Sequence, residues 1–412
     1  MDREQPHCRG CGAVLTLTFL DLGQMPLANA YPRSEADARE EKRYPLHVRI
    51  CDRCFLVQLD QVVSPSVLFE DYAYFSSYSE TWLEHSRRFA DWAVGTFGLT
   101  HESSVIEVAS NDGYLLKHFV ALGIPVLGIE PAANVAAAAI DAGVPTDIRF
   151  FGRSVAEDLV GKGYRADLLV GNNVIAHVPD LNDFVAGLAI LLGDRGVVSL
   201  EFPHLLRLVD QVQFDTIYHE HFCYFSLLSL ESVLRRHGLE VFDVVELPTH
   251  GGSLRVLVSR SGGGRAVSPR LVGVRNAEAD ARLHELRTYD AFKNRVETCC
   301  RSLRDFLASA RAGGSSVVAY GAAAKGNTLL NHCGVGTDDI AYVVDRSPHK
   351  QGRLLPGSHL PIHAPEKVRE TRPDHLLLLP WNLKDEIIEQ MSFIRGWGGR
   401  FVVPIPVTQV LD

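Results

Sequence analysis

The sequence has no long hydrophobic run. Its most apolar stretches, such as "HLLLLPW", are far too short to cross a bilayer, and the opening "MDREQPHCRG" lacks the apolar core of a secretory leader. No membrane partner is expected, and the expected location is cytoplasmic. A run of Lys or Arg is also missing. With 41 basic against 50 acidic residues the formal charge is −9 at pH 7, which disfavours a nucleic-acid partner, because neutralising phosphates needs a basic face. No low-complexity tract is visible, and the eight cysteines are not spread as a disulfide framework would be.

What remains is ordinary globular material: 412 residues, 46% hydrophobic and 22% charged, enough for two or three domains with cores of their own. Four cysteines fall into two C-x-x-C pairs, Cys8 and Cys11 in "HCRGCG" and Cys51 and Cys54 in "CDRCF". Thiolates from two such knuckles close a tetrahedron around Zn²⁺, and four sulfurs leave no open position for a catalytic water. The expected metal is therefore structural; free or redox-active thiols are the alternative. Cys223, Cys299, Cys300 and Cys333 have no matching spacing and read as small buried hydrophobes.

From about Val105, short apolar strands alternate with helical segments, the pattern of a doubly wound α/β sheet. "SVIEVASNDGYLLKHF" reads as strand, turn and helix, and "PVLGIEPAANVAAAA" as the next strand and helix. A Gly/Ser/Arg/Pro-rich stretch near Ser261 to Pro269 marks a boundary, and one long charged helix is expected over Asn276 to Ala312. A second α/β run begins at "SSVVAYGAAAKGNTLLNH". The expected division is a zinc-binding unit over 1–70, a Rossmann-like domain over 71–262 and a second Rossmann-like α/β domain over 263–412.

Ligands of open α/β sheets sit at the carboxyl ends of strands. The first strand ends in Glu107, followed by small residues through Gly113 at the start of a helix, and the second ends at Glu130, where a carboxylate can take both hydroxyls of a ribose. The G-x-G-x-x-G of a dinucleotide site is absent, which argues against NAD here. In the last third, "YGAAAKGNTLL" approaches a phosphate-binding loop but lacks its Lys-Ser/Thr ending, so nucleotide hydrolysis is not supported. It still reads as a pyrophosphate cradle with Lys325 near a helix start.

In combination and order, the two knuckles, "YAYFSSYS", "EVASNDGYLL", "EFPH", "FDTIYHEHFCYFS", "HGGSLR" and "YGAAAKGNTLLN" resemble the S-adenosylmethionine (SAM)-dependent C-methyltransferases that act on nucleotide-linked 4-keto-deoxysugars. The likeness covers essentially the whole chain. It implies that Glu107, Ala109, Ser110, Asn111, Asp112 and Gly113 cradle the methionine end of SAM. It likewise implies that Glu130 holds the ribose and that Asn172 and Asn173 of "GNNVIAHV" line the adenine and methyl-transfer side. Members commonly carry glycine where this chain has Ala109. The C-terminal domain, with Lys325, Asn327 and Arg255 of "HGGSLR", is implied to bind the sugar nucleotide.

Methylating a carbon beside a ketone requires a base for a weakly acidic C–H proton and a group that stabilises the enolate. Tyr218, His219, Glu220 and His221 offer a base, a carboxylate and a phenol in four consecutive residues. Extended, they would alternate between two faces; a turn would break that rule, and the sequence leaves both open. A metal site lacks the H-E-x-x-H spacing, while buried structural histidines are a further alternative. The resemblance implies His221 as the general base, with Tyr218, Glu220, Tyr72 and His177 in the same site. The expected reaction is methyl transfer from SAM to C3 of a TDP-linked 4-keto-6-deoxyhexose by a monomer or weak oligomer. Rival readings are an NAD-dependent nucleotide-sugar epimerase or reductase and a non-catalytic zinc-containing nucleotide-binding module.

Overall fold

The computed structural model describes residues 5–61, 63–64, 76–78 and 80–411. Strands β1 (Leu17–Pro26), β2 (Arg43–Ile50) and β3 (Val57–Leu59) form an antiparallel meander. One knuckle precedes β1, and the other is the turn between β2 and β3.

The central sheet is built from β4 (Val105–Val108), β5 (Val126–Ile129), β6 (Thr146–Asp147), β7 (Ala166–Asn172) and β8 (Leu192–Pro203), all parallel. All four residues of β4 are buried, as a strand covered on both faces requires. After β8 the chain leaves to form β9 (Cys223–Tyr224), which pairs with β3 through Val57↔Tyr224 and Gln58↔Cys223. The zinc-bearing sheet therefore ends on a strand contributed by the middle of the chain. The central sheet is completed by β10 (Leu239–Leu247) and β11 (Ser253–Arg260), with β11 antiparallel to both β10 and β8. The resulting order is β10-β11-β8-β7-β4-β5-β6. Its order reverses at β4, flanked by β5 and β7, and this is where such sheets bind ligands.

Two helices follow, Pro269–Asp280 and Leu286–Ala312, where the sequence suggests one from Asn276 to Ala312. The break has a tertiary cause. Glu278 is buried, accepting from the backbone N–H groups of Leu227 (2.6 Å) and Leu228 (2.9 Å) and facing His204 at 2.7 Å, and Arg282 then takes a left-handed conformation at φ 57°. The C-terminal sheet, β12 (Val317–Tyr320), β13 (Val343–Val344), β14 (Ile362–His363), β15 (His375–Leu378), β16 (Arg400–Val403) and β17 (Gln409–Leu411), is ordered β14-β13-β12-β15-β16-β17. Only β17 runs against its neighbour.

One apolar core runs through all three sheets, from Phe19 and Val48 through Ile106 and Leu200 to Val318 and Leu377. Among the described residues, no helix is long and apolar enough to cross a membrane.

Candidate active site

Both knuckles turn their sulfurs inward. The Sγ atoms of Cys8, Cys11, Cys51 and Cys54 lie within 4.8 Å of one another, and Cys8–Cys54 and Cys11–Cys51 are each 3.5 Å apart. Gln58 Nε2 donates to Cys8 Sγ at 3.2 Å, and the Arg53 N–H donates to Cys51 Sγ at 3.4 Å. Hydrogen bonding with Cys51 and then Cys54 lowers Cys8, while hydrogen bonding with Cys51 and then Cys8 raises Cys54, so the cluster shares protons between its sulfurs. A buried four-sulfur set of this size fits Zn²⁺, whose positive charge such thiolates need.

The cofactor turn follows β4. Ala109, Asn111 and Gly113 all take left-handed conformations (φ 57°, 49° and 76°). An alanine at Ala109 is strained there, which gives a physical reason for the glycine of its relatives. Glu107 is fully buried, and neither carboxylate oxygen has a hydrogen-bond partner among the described residues. Burial holds its carboxyl well above the usual range, opposed by the Tyr114 hydroxyl, which is near but not in bonding geometry. A buried carboxyl whose oxygens have no hydrogen-bond partner among the described residues suits a ligand cation, such as the ammonium of a methionine end, whose charge would favour the ionised form.

Glu130, just past β5, accepts from the backbone N–H groups of Asn111 (3.0 Å) and Ala132 (2.9 Å), so the carboxylate is aimed by the cofactor turn itself. Ser76 and Ser77 close over the same turn: the Ser76 N–H donates to Asn111 Oδ1 at 2.9 Å and the Ser77 N–H to Asp112 Oδ2 at 3.1 Å. Ser110 Oγ, Asp112 Oδ1, Asn172 Oδ1 and Asn173 Oδ1 are buried with no partner among the described residues. Asn172 and Asn173 stand at the end of β7, on the loop that leads to His177.

That loop connects the cofactor turn to the histidine cluster. Asn173 Nδ2 donates to His250 Nε2 at 3.3 Å, and the His177 ring meets that of His221 edge-on, centroids 4.7 Å apart. "YHEH" is not extended: the His221 N–H donates to the Tyr218 carbonyl at 3.0 Å, closing a turn. The turn places the Tyr218 hydroxyl 2.8 Å from His221 Nε2, while Nδ1 of the same ring lies 2.8 Å from the Thr216 carbonyl. A carbonyl only accepts, so Nδ1 carries the proton and Nε2 presents its lone pair.

Burial, then His177, His250 and Lys325, hold His221 well below the ordinary imidazole range. Burial lowers His177 to about 4; His250, an exposed residue, is lowered too, by desolvation of its ring and then by Lys325. Glu220 accepts from Asn29 Nδ2 at 2.7 Å, and burial raises its carboxyl. His219 points the other way, to the Tyr44 carbonyl at 3.3 Å and edge-on to the Tyr44 ring, and serves packing. Tyr72 lies outside the described residues.

The C-terminal domain grips the segment before this turn. Trp381 Nε1 donates to Asp215 Oδ2 at 2.7 Å, and Thr328 Oγ1 donates to the Ile217 carbonyl at 2.9 Å. Lys325 Nζ reaches the His250 carbonyl (3.1 Å) and Asn382 Oδ1 (3.3 Å). Asn327 is buried, its amide donating to the Ala28 carbonyl at 2.6 Å, which ties the C-terminal domain to the zinc-bearing unit instead of presenting the side chain to a diphosphate.

Arg255 also departs from its expected role. Its guanidinium is buried, with Nη2 held on Glu201 at 2.6 Å and against His85 at 2.9 Å and the group lying over the Phe89 ring at 4.3 Å, so its charge is matched inside the central domain by Glu201. Asp215, Trp381, Asn382 and His250 were not singled out by spacing. The acidic residue inside apolar "FDTIY" was the one local signal.

Comparison with known proteins agrees with this layout. A zinc binding domain model matches residues 8–69, a methyltransferase domain model 76–244 and a C-methyltransferase C-terminal domain model 248–406. The chain is 38% identical over 406 residues to the C-methyltransferase NovU of Streptomyces niveus, covering 98% of this chain and 97% of that one. A ubiquinone biosynthesis O-methyltransferase of Bartonella quintana (strain Toulouse) is 29% identical over 96 residues, 23% of this chain and 38% of its own length. The solved magnesium protoporphyrin IX methyltransferase of Synechocystis PCC 6803 with bound SAM matches 43% of this chain and 79% of its own, at 14% identity and a TM-score of 0.34. On the near-full-length relative and the family models, the chain belongs to the zinc-binding, SAM-dependent C-methyltransferase family that its motifs resemble.

Proposed function

We propose that this C-methyltransferase acts on C3 of a TDP-linked 4-keto-6-deoxyhexose, with the sugar held where the central and C-terminal domains meet. The observation that carries the reading is the Tyr218–His221 pair: a half-buried imidazole with its Nε2 lone pair fixed, one ring contact from the loop that leaves the cofactor strand.

SAM, when bound against Glu107, the turn through Gly113 and Glu130, supplies an electrophilic methyl group. His221 Nε2 takes the proton from the carbon beside the ketone, and the Thr216 carbonyl steadies the charge on the ring as it forms. Tyr218 donates to the enolate, whose carbon takes the methyl in place of the lost proton, His177 walls the pocket on the cofactor side, and Glu220, tied to Asn29, orients the sugar. The burial that keeps His221 neutral also weakens it as a base, so a group that stabilises the enolate is required. Arg255 is not part of this proposal. The test is an activity screen over TDP-linked 4-keto and 4-hydroxy deoxysugars with SAM, the product's methylated carbon located by NMR. Methylation of a 4-hydroxy sugar, or at oxygen, would refute the reading.

A further inference from the structure

Lys325 is an expensive residue where it stands. The residue is half-buried, and that burial lowers its affinity for a proton while Asp215 opposes the shift. Yet no carboxylate lies within salt-bridge distance of it among the described residues; its hydrogen-bond partners are two neutral oxygens, the His250 carbonyl and Asn382 Oδ1. A buried lysine kept for stability normally contacts its counter-charge, because an ammonium facing only neutral groups loses more in desolvation than it regains.

The counter-charge is instead held one residue away. Asp215 is buried on the Trp381 indole N–H, and the ammonium sits over the face of that same indole, 5.1 Å from the ring centroid. Carboxylate, indole and ammonium form a series that keeps the lysine charged without neutralising it by contact. The cation is thereby left free to meet a negative charge that arises later.

The position of that later charge follows from the neighbours. Lys325 opens the helix Ala324–Cys333, which is fastened to the catalytic segment by Thr328 on the Ile217 carbonyl. Its Nζ lies 3.1 Å from the carbonyl of His250, whose ring meets Asn173 on the loop that carries His177 to the His221 ring, so it stands beside the pocket of the base. A fixed cation there opposes formation of an imidazolium, a penalty for the base unless the negative product of the same step lies between the two.

Resting on the ketone substrate proposed above, we infer that Lys325 is a catalytic residue that stabilises the enolate oxygen, with Asp215 and Trp381 as the residues that position it. In the step, the C–H bond electrons form the new C=C bond, the carbonyl π electrons move to oxygen, and the proton goes to His221 Nε2. Lys325 keeps its own proton and donates a hydrogen bond to that oxygen. The charge is supplied across the domain junction, which gives the C-terminal domain a part in the chemistry as well as in holding the nucleotide.

The experiment compares wild type with Lys325→Met and Lys325→Arg, each given the TDP-linked 4-keto sugar and S-adenosylhomocysteine in D₂O. It reads deuterium entry at the acidic carbon and, by calorimetry, the affinity for the sugar nucleotide. Lys325→Met is expected to slow exchange at saturating sugar by roughly 10²-fold or more, the usual loss for one oxyanion donor, with affinity changed only a few-fold. Lys325→Arg, which keeps the charge, should recover part of the rate, and S-adenosylhomocysteine binding reports that both variants are folded. Exchange at the wild-type rate in Lys325→Met would overturn the role, whether affinity falls, as for a diphosphate holder, or stays, as for a structural lysine. Absence of exchange and methylation in the wild type itself would overturn the substrate reading and the lysine's role together.

Discussion

The Tyr218 hydroxyl lies 2.8 Å from Nε2 of His221, on the one ring nitrogen left unprotonated by the Thr216 carbonyl. If that lone pair is the base, His221→Asn should leave the fold and both ligand affinities in place and lower turnover by roughly 10²–10⁴-fold. Tyr218→Phe frees Nε2 and removes one donor, so its loss should be smaller. Steady-state rates with calorimetry check both. An equal loss in Tyr218→Phe would mean that the phenol passes the proton to the imidazole.

Glu130 concerns the cofactor alone. Both of its oxygens are already aimed by backbone donors, and two ribose hydroxyls donating to them would add hydrogen bonds to a charged acceptor. Glu130→Ala should weaken SAM binding by about 1.5–3 kcal/mol or more and leave sugar-nucleotide binding nearly unaltered. Calorimetry of each ligand tests this, and equal loss of both would refute the assignment.

Local pattern made the cofactor strands readable, because β4 and β5 are short apolar runs with Glu107 inside the first and Glu130 just past the second, and carry their signal within a few residues. The zinc cysteines were readable for the same reason. Arg255 was not: its fate depends on standing opposite Glu201 in the β11/β8 register, a pairing between segments more than fifty residues apart. The conformation of "YHEH" was equally hidden, since the turn that unites Tyr218 and His221 is held by Thr328, Trp381 and strand pairing at Cys223. Composition points to "YHEH" as the candidate stretch, and long-range contacts shape it.

The zinc site bears on that stretch through Gln58. Its amide nitrogen donates to Cys8 Sγ, and its backbone stands opposite Cys223, two residues beyond His221. One zinc per chain is expected, and Cys51→Ser with Cys54→Ser should abolish it. Loss of the metal should lower turnover far more than SAM affinity, because β9 lies next to the catalytic turn and Glu130 lies on the central sheet. Metal analysis with SAM titration tests the pair of statements; unchanged zinc content in the double variant would remove these cysteines as ligands.

Acid should act on stability through the same histidines that serve the site. His177 and His250 are lowered from 6.5 to about 4, mainly by burial, so between those values the unfolded chain binds protons that the folded chain refuses. Stability is then lost as pH falls from about 6.5 toward 4, with the half-buried His177 contributing more of the loss than the exposed His250, whose share solvent screens. His221, lowered by burial, His177, His250 and Lys325, adds to the same slope. The unfolding temperature should accordingly drop across this window. In His250→Asn, which suits the left-handed backbone at φ 56°, the slope should be shallower. Turnover follows the opposite logic at its own limb: kcat/KM should stay level through pH 6.5, because His221 is already neutral there, and fall only at lower pH. An acid limb centred on 6.5 in protein that remains folded would show an exposed, ordinary imidazole and remove His221 as the base.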